Sequence, residues 1–120
     1  MNLKYVFNPK SIAVIGASTQ PGSVGNDLVK NLVYQGFKGK IYPVNPKTKK
    51  LYNLRCYPSV LAIKKQVQLI IVAVPAPVVL GVIKEAAAKK VKAAVVITAG
   101  FKEVGHKDLE SEIGKICKEN

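Results

Sequence analysis

Several residue types are scarce in this sequence of 120 residues, and each shortage removes a class of protein. Two cysteines, Cys56 and Cys117, are too few for a disulfide framework and lack the spacing of metal ligands. No apolar run reaches the roughly 18 residues of a membrane span. The first residues contain neither the apolar stretch nor the cleavage site of a signal peptide. We therefore expect a reduced, cytoplasmic protein with no metal site and no membrane partner.

Acidic residues are scarce too, with seven against nineteen lysines and arginines and a net charge of +12. Residues 1–84 contain twelve of the basic residues and a single acid, Asp27. Such a surface attracts anions, including nucleic acids and phosphorylated metabolites. A nucleic-acid-binding surface would interleave aromatic residues or crowd the basic residues onto one helix, and neither pattern occurs. A phosphorylated ligand is therefore favoured over nucleic acid, which stays as the weaker alternative.

Hydrophobic residues make up 48% of the chain and follow the pattern of one α/β domain over residues 1–120. Short β-branched runs predict four buried strands, over residues 11–16, 40–44, 68–74 and 93–98. Helical periodicity predicts three helices, over residues 24–35, 77–90 and 106–118. We predict a Rossmann-like, doubly wound, mainly parallel sheet with strand order 3-2-1-4. Because the last helix should lead into another strand, we expect a truncated fragment of a longer chain.

The loop after the first strand is predicted to bind phosphate, because it lies at the switch point of the sheet and opens a helix. Gly16 allows a sharp turn, Gly22 leaves room for a phosphate, and Gly25 lets the helix pack closely. The other candidate ligand-binding residues of the loop are Ser18, Thr19, Gln20 and Pro21. Ser18 and Thr19, together with Ser23, offer hydroxyl donors. Since Ser18 replaces the middle glycine of G-x-G-x-x-G, a purely structural turn remains an alternative.

The end of the second strand, Val44-Asn45-Pro46-Lys47, distinguishes between nucleotides. An NAD site has a carboxylate there for the adenosine ribose, whereas this chain has Lys47. A cation suits a phosphate on that ribose, as NADP or coenzyme A (CoA) carries. An NADP-binding domain of an oxidoreductase or redox sensor is therefore the second hypothesis. Alternatively, Lys47 is simply one of several surface lysines and has no ligand.

Small or rigid residues also follow the third and fourth strands, at the same edge of the predicted sheet. The candidates are Val74, Pro75, Ala76, Thr98, Ala99 and Gly100. With the first two strand ends they are expected to form one shallow crevice, although ordinary strand-to-helix loops would have the same composition. No catalytic constellation is present: Cys56 is interpreted as a packing residue and His106 as a surface residue.

Several segments together resemble the opening domain of ADP-forming acyl-CoA (acetyl-CoA) synthetases. They are FNPKSIAVIGAS at 7–18, GKIYPVNPK at 39–47, CYPSV at 56–60, VPA at 74–76 and TAGFKE at 98–103. The CoA-binding domain of the succinyl-CoA synthetase alpha subunit is similar more distantly. The matching segments span nearly the whole chain in the same order, so the resemblance is specific.

The resemblance implies that the chain binds CoA as its cofactor. Ser18 to Gly22 would hold the phosphates, and Asn45-Pro46-Lys47 would lie against the 3′-phospho-ADP portion. The turns at Pro75 and at 98–100 would guide the pantetheine arm. It also implies partner domains absent from this sequence, one with a phosphohistidine and one of the ATP-grasp type. We therefore expect no catalysis by this chain alone.

Overall fold

The computed structural model describes residues 4–97 and contains a four-stranded parallel sheet. The elements are α1 (Lys4–Phe7), β1 (Ser11–Ile15), α2 (Val24–Tyr34), β2 (Lys40–Val44), β3 (Lys50–Leu51), β4 (Leu54–Arg55), a 3₁₀ helix (Val60–Ala62), β5 (Leu69–Val72), α3 (Ala76–Lys89) and β6 (Ala93–Val96). The predicted α/β fold is confirmed. The predicted helix over 106–118, with His106 and Cys117, lies outside the described residues.

Strand β1 is buried on both faces, as its continuous apolar run predicted. Ile12 and Val14 pack in one cluster with α2, where Val29 is fully buried. Ala13 and Ile15 point to the other face and pack in a second cluster with α3. Alternation along one strand therefore produces two apolar layers, each covered by a helix. No helix within residues 4–97 has the length and apolar character needed to cross a membrane.

The predicted strand order was wrong. The observed order is β2-β1-β5-β6, so the third long strand pairs with β1 instead of lying outside β2. In the numbering of the four predicted strands the order is 2-1-3-4 and not 3-2-1-4. This is the other common doubly wound order, and its switch point lies between β1 and β5.

The outer edge of β2 explains this order. The chain after β2 forms the β3–β4 hairpin and then runs along the edge, where the amide of Tyr57 donates to the carbonyl of Pro43 over 2.9 Å. The amide of Asn45 donates back to the carbonyl of Tyr57, also over 2.9 Å. Pro43 has no N–H to offer a further strand on that side, which suits an edge position. The third long strand is consequently left with the free side of β1.

Candidate functional site

A cleft of about 520 Å³ opens at the carboxyl ends of β1, β2 and β5, at the switch point of the sheet. One wall of the cleft is formed by the loop after β1, with Gly16 and Ser18, and by the turn after β2. The segment after β5 and the exposed face of α3 complete it. The topology thus brings three of the four predicted strand ends together, as expected for a nucleotide site in a doubly wound sheet.

Two glycines of the loop are required by close backbone packing. A Cβ on Gly16 would overlap the carbonyl oxygen of Ala73, and the φ of Gly16 is +92°. A Cβ on Gly25 would overlap the carbonyl oxygen of Gly16. The close packing predicted for Gly25 is therefore confirmed: the first turn of α2 lies directly against the turn out of β1.

Gly22 has a different role in the loop. A Cβ there would meet no atom within 4 Å, but its φ is +85°, a conformation that disfavours residues with a side chain. The open space outside Gly22 is compatible with a ligand, and its conformation alone explains the choice of glycine.

Two asparagine side chains anchor consecutive carbonyls of the loop. The Asn45 amide Nδ2 donates to the Ala17 carbonyl over 2.7 Å, and the Asn26 amide Nδ2 donates to the Ser18 carbonyl over 2.8 Å. Asn26 is only 3% exposed, and its Oδ1 accepts a 2.9 Å hydrogen bond from the Tyr52 hydroxyl. The loop is thereby fastened to the second strand, to α2 and to the hairpin. Sequence reasoning missed Asn26 and Tyr52, because only the fold brings them together.

The hydroxyls predicted as ligand donors differ in their availability. Ser23 caps α2: its Oγ accepts from the Asn26 amide over 3.3 Å and donates to the Gln20 carbonyl over 2.8 Å. The expectation that Ser23 donates to a ligand was therefore wrong, because its one proton is already used. The Ser18 Oγ accepts from the Gln20 amide over 3.0 Å, which leaves its proton free to donate elsewhere.

Lys47 lies in the turn after β2 and lines the cleft with an exposed side chain. Its backbone amide donates to Asn45 Oδ1 over 2.8 Å, which fixes the turn. Within residues 4–97 its ammonium forms no hydrogen bond or ion pair, although Glu85 lines the same cleft. This is the position predicted for a cation that contacts a ribose phosphate.

The wall of the cleft that is formed by α3 is largely apolar. The predicted apolar stripe of this helix divides: Val79, Ile83 and Ala86 are buried, whereas Val78 and Val82 line the cleft. Pro58 and Ser59 face them from the segment after the hairpin. Apolar side chains beside a cationic mouth suit a ligand with a flat hydrophobic base and phosphate groups.

The predicted site residues fall into three groups. Those that line the cleft are Gly16, Ser18, Asn45, Pro46, Lys47, Val74 and Pro75. Those beside it, in the loop or at a helix start, are Thr19, Gln20, Pro21, Gly22, Gly25 and Ala76. Thr98, Ala99 and Gly100 lie outside the described residues. The lining residues that were not among the predicted site residues are Ile15, Ala17, Val44, Pro58, Ser59, Ala73, Val78, Val82 and Glu85.

Cys56 is buried in the cluster beneath α2, and burial raises the pKa of its thiol. A raised pKa keeps the sulfur protonated and unreactive near neutral pH. The interpretation of Cys56 as a packing residue is confirmed.

Residues 10–120 match the family model described as a CoA binding domain. The chain belongs to the CoA-binding domain family. This match covers the glycine loop, the Asn45–Lys47 turn and the segment after β5, which are the parts that surround the cleft. Of the two hypotheses for a ligand with a ribose phosphate, the match favours a CoA-binding domain over an NADP-binding domain.

The relatives of this CoA-binding domain include ADP-forming ligases. The chain is 48% identical over 116 residues to the ADP-forming acetate–CoA ligase of Methanocaldococcus jannaschii, covering 97% of this chain and 16% of that protein. The solved apo structure of the dinucleotide forming acetyl-coenzyme A synthetase 1 of Ca. Korarchaeum cryptofilum is 45% identical, with a TM-score of 0.91. The likeness covers 98% of this chain and 26% of that one. The resemblance to ADP-forming acyl-CoA synthetases is thus confirmed.

A shorter solved chain is also similar. A conserved hypothetical protein from Pyrococcus furiosus is 32% identical with a TM-score of 0.75, and the likeness covers 89% of this chain and 87% of that one. The present chain therefore spans about a sixth of the M. jannaschii ligase but most of the length of the P. furiosus protein.

Proposed function

We propose that this chain binds CoA in the cleft at the switch point and serves as the CoA-binding domain of an ADP-forming acyl-CoA synthetase. The observation that carries the proposal is the joint presence, around one cleft, of an anchored glycine loop and of Lys47, whose ammonium has no direct partner within residues 4–97. Membership of the CoA-binding domain family supports the same ligand.

The diphosphate of CoA is assigned to the loop after β1. Backbone amides there and at the start of α2 have no intrahelical partner and carry partial positive charge, which favours an anion. Gly22 leaves open space beside them. The Ser18 hydroxyl keeps a proton that it can donate to a phosphate oxygen.

The adenosine and its 3′-phosphate are assigned to the other side of the cleft. Val78 and Val82 offer an apolar surface for the base, and Lys47 at the mouth offers the cation for the 3′-phosphate. Pro75, which lines the cleft, would direct the pantetheine arm, and the same role stays a prediction for residues 98–100, which lie outside the described residues. Lys47 would suit the ribose phosphate of either CoA or NADPH, so the affinities for the two ligands must be measured to distinguish them.

The resemblance to ADP-forming acyl-CoA synthetases implies that the parent reaction would convert an acid, ATP and CoA into acyl-CoA, ADP and phosphate. This chain supplies no group for phosphoryl transfer in that scheme: a phosphohistidine and an ATP-grasp domain would come from elsewhere in the full enzyme. The role of this domain is to hold CoA and present its thiol. We place this domain in the cytoplasm, because its two cysteines are too few for a disulfide framework.

Calorimetric titration of Lys47→Ala with CoA and dephospho-CoA tests the assignment. A charge-assisted hydrogen bond to phosphate contributes about 1.5–3 kcal/mol, so CoA affinity should fall roughly ten- to a hundredfold. Dephospho-CoA, which lacks the 3′-phosphate, should lose much less. Lys49→Ala and Lys50→Ala remove the same charge from nearby exposed positions and should cost less than about threefold at moderate salt.

Three results would contradict the proposal. Equal losses for CoA and dephospho-CoA would mean that Lys47 contributes only to the general basic field. Tighter binding of NADPH than of CoA by the unaltered chain would favour the oxidoreductase hypothesis. Acid- and ATP-dependent thioester formation by the chain alone would show that the catalytic groups are present here after all.

A further inference from the structure

The anchored carbonyls of the glycine loop determine where the next amides point. In a trans peptide the C=O and the following N–H point in opposite directions, and the described residues contain no cis peptide. Because the Ala17 carbonyl points to Asn45, the Ser18 N–H points away from Asn45. Because the Ser18 carbonyl points to Asn26, the Thr19 N–H points away from Asn26. Neither amide has a hydrogen-bond acceptor within residues 4–97.

The orientation of the Asn26 side chain is itself fixed. An asparagine amide can turn over and exchange its donor for its acceptor, and the turned form would place Oδ1 against the Ser18 carbonyl. The Ser18 carbonyl can only accept, so it selects the form in which Nδ2 faces it. The Tyr52 hydroxyl donates to Asn26 Oδ1 over 2.9 Å and holds the other end of the same amide in place. Asn26 is almost fully buried, so water does not replace this hydrogen bond at low cost.

Tyr52 occupies a backbone position that disfavours its residue type. It has φ 49° and Asn53 has φ 64°, as in the two central residues of a type I′ hairpin turn, where glycine and asparagine are preferred. A bulky residue at positive φ is uncommon. Its ring packs edge-on against Tyr34, with the ring centres 6.0 Å apart, and this contact holds the hydroxyl toward Asn26.

We propose that Tyr52, acting through Asn26, is a positioning residue that aims the Thr19 amide at the diphosphate of the bound ligand. The inference rests on the proposed function and adds to it a residue that does not touch the ligand. It links the hairpin, 26 residues away from Asn26 in sequence, to the orientation of the phosphate loop. Removing the hydroxyl alone should leave the fold in place but deprive the buried Asn26 Oδ1 of its donor, so that the side chain is held only at its Nδ2 end and the Ser18 carbonyl is anchored less firmly.

The test compares Tyr52→Phe with Tyr34→Phe. Both variants remove one hydroxyl from the same aromatic pair, and only the first hydroxyl bonds Asn26. CoA affinity, measured by calorimetry, should fall roughly three- to tenfold in Tyr52→Phe and stay unchanged in Tyr34→Phe. Affinity for 3′-AMP, which carries the adenosine and 3′-phosphate without a diphosphate, should stay within about twofold in both, measured by NMR titration.

A second measurement separates positioning from general stability. In ¹⁵N-labelled protein, CoA should shift the Thr19 amide proton downfield in the unaltered chain, and this shift should shrink in Tyr52→Phe. If the unaltered chain does not bind CoA, the proposed function fails and not only this inference. If it binds CoA but Tyr52→Phe keeps full affinity and the same Thr19 shift, or loses equal affinity for CoA and 3′-AMP, Tyr52 is purely structural and the inference is wrong.

Discussion

Gly25→Ala tests the contact on which the geometry of the phosphate loop depends. Gly25 is in the first turn of α2, and a Cβ at this position would lie well inside 3.0 Å of the Gly16 carbonyl oxygen. The obstacle is backbone, so a rotamer change cannot relieve the overlap, and α2 must move away from β1. Overpacking of this kind costs typically about 1–3 kcal/mol.

The magnitude follows from two opposing effects. Alanine in place of glycine inside a helix stabilises it by about 1 kcal/mol, which offsets part of the overlap. Because the overlap is with backbone, we expect the upper end of the overpacking range and a net loss of about 2 kcal/mol in the free energy of unfolding. For a domain of this size that lowers Tm by roughly 10 °C. CoA binding should weaken as well, since the start of α2 shifts relative to the loop.

Gly81→Ala is the matched control. Gly81 also lies in a helix, on the exposed side of α3, and a Cβ there meets nothing within 4 Å. The same substitution should raise stability by about 0.5–1 kcal/mol without changing CoA affinity. Thermal and urea unfolding of both variants measure the difference. If Gly25→Ala were as stable as Gly81→Ala and bound CoA normally, the close contact between α2 and β1 would not limit the site.

Two further predictions concern the cap of α2 and a buried thiol. Ser23→Ala removes the acceptor for the Asn26 amide and should lower the free energy of unfolding by about 1 kcal/mol. Ser23→Thr should recover most of this loss, and full stability of the alanine variant would contradict the capping role. Burial raises the pKa of Cys56, so the folded state retains the thiol proton that the unfolded chain releases, and stability should fall as pH rises above the ordinary thiol pKa of 9.0. Cys56→Ala should weaken that decline in urea unfolding between pH 8 and 10 (roughly one unit on either side of the thiol pKa); an unchanged pH profile would show that the thiol is not responsible.

Local patterns in the sequence determined the elements and most of the cleft edge. The apolar run of β1, the periodicity of α2 and the turn after β2 are encoded by residues near one another, and the structure places their elements within a few residues of the predicted bounds. The structural roles of Gly16 and Gly25 could also be predicted from the sequence, because positions where backbone segments pack closely accept only glycine. The position of Lys47 at the cleft followed from its place in the turn after β2.

Tertiary structure alone decided which strands are neighbours and what holds the loop. Pro43 lacks the N–H that a further neighbouring strand would need, but only the pairing of Tyr57 with that edge of β2 shows that the third long strand must lie on the other side of β1. The Tyr52–Asn26 hydrogen bond joins residues with no common periodicity, so no local pattern predicts it. The helical stripe of α3 likewise did not reveal that Val78 would line the cleft, because periodicity identifies an apolar face and not what packs against it.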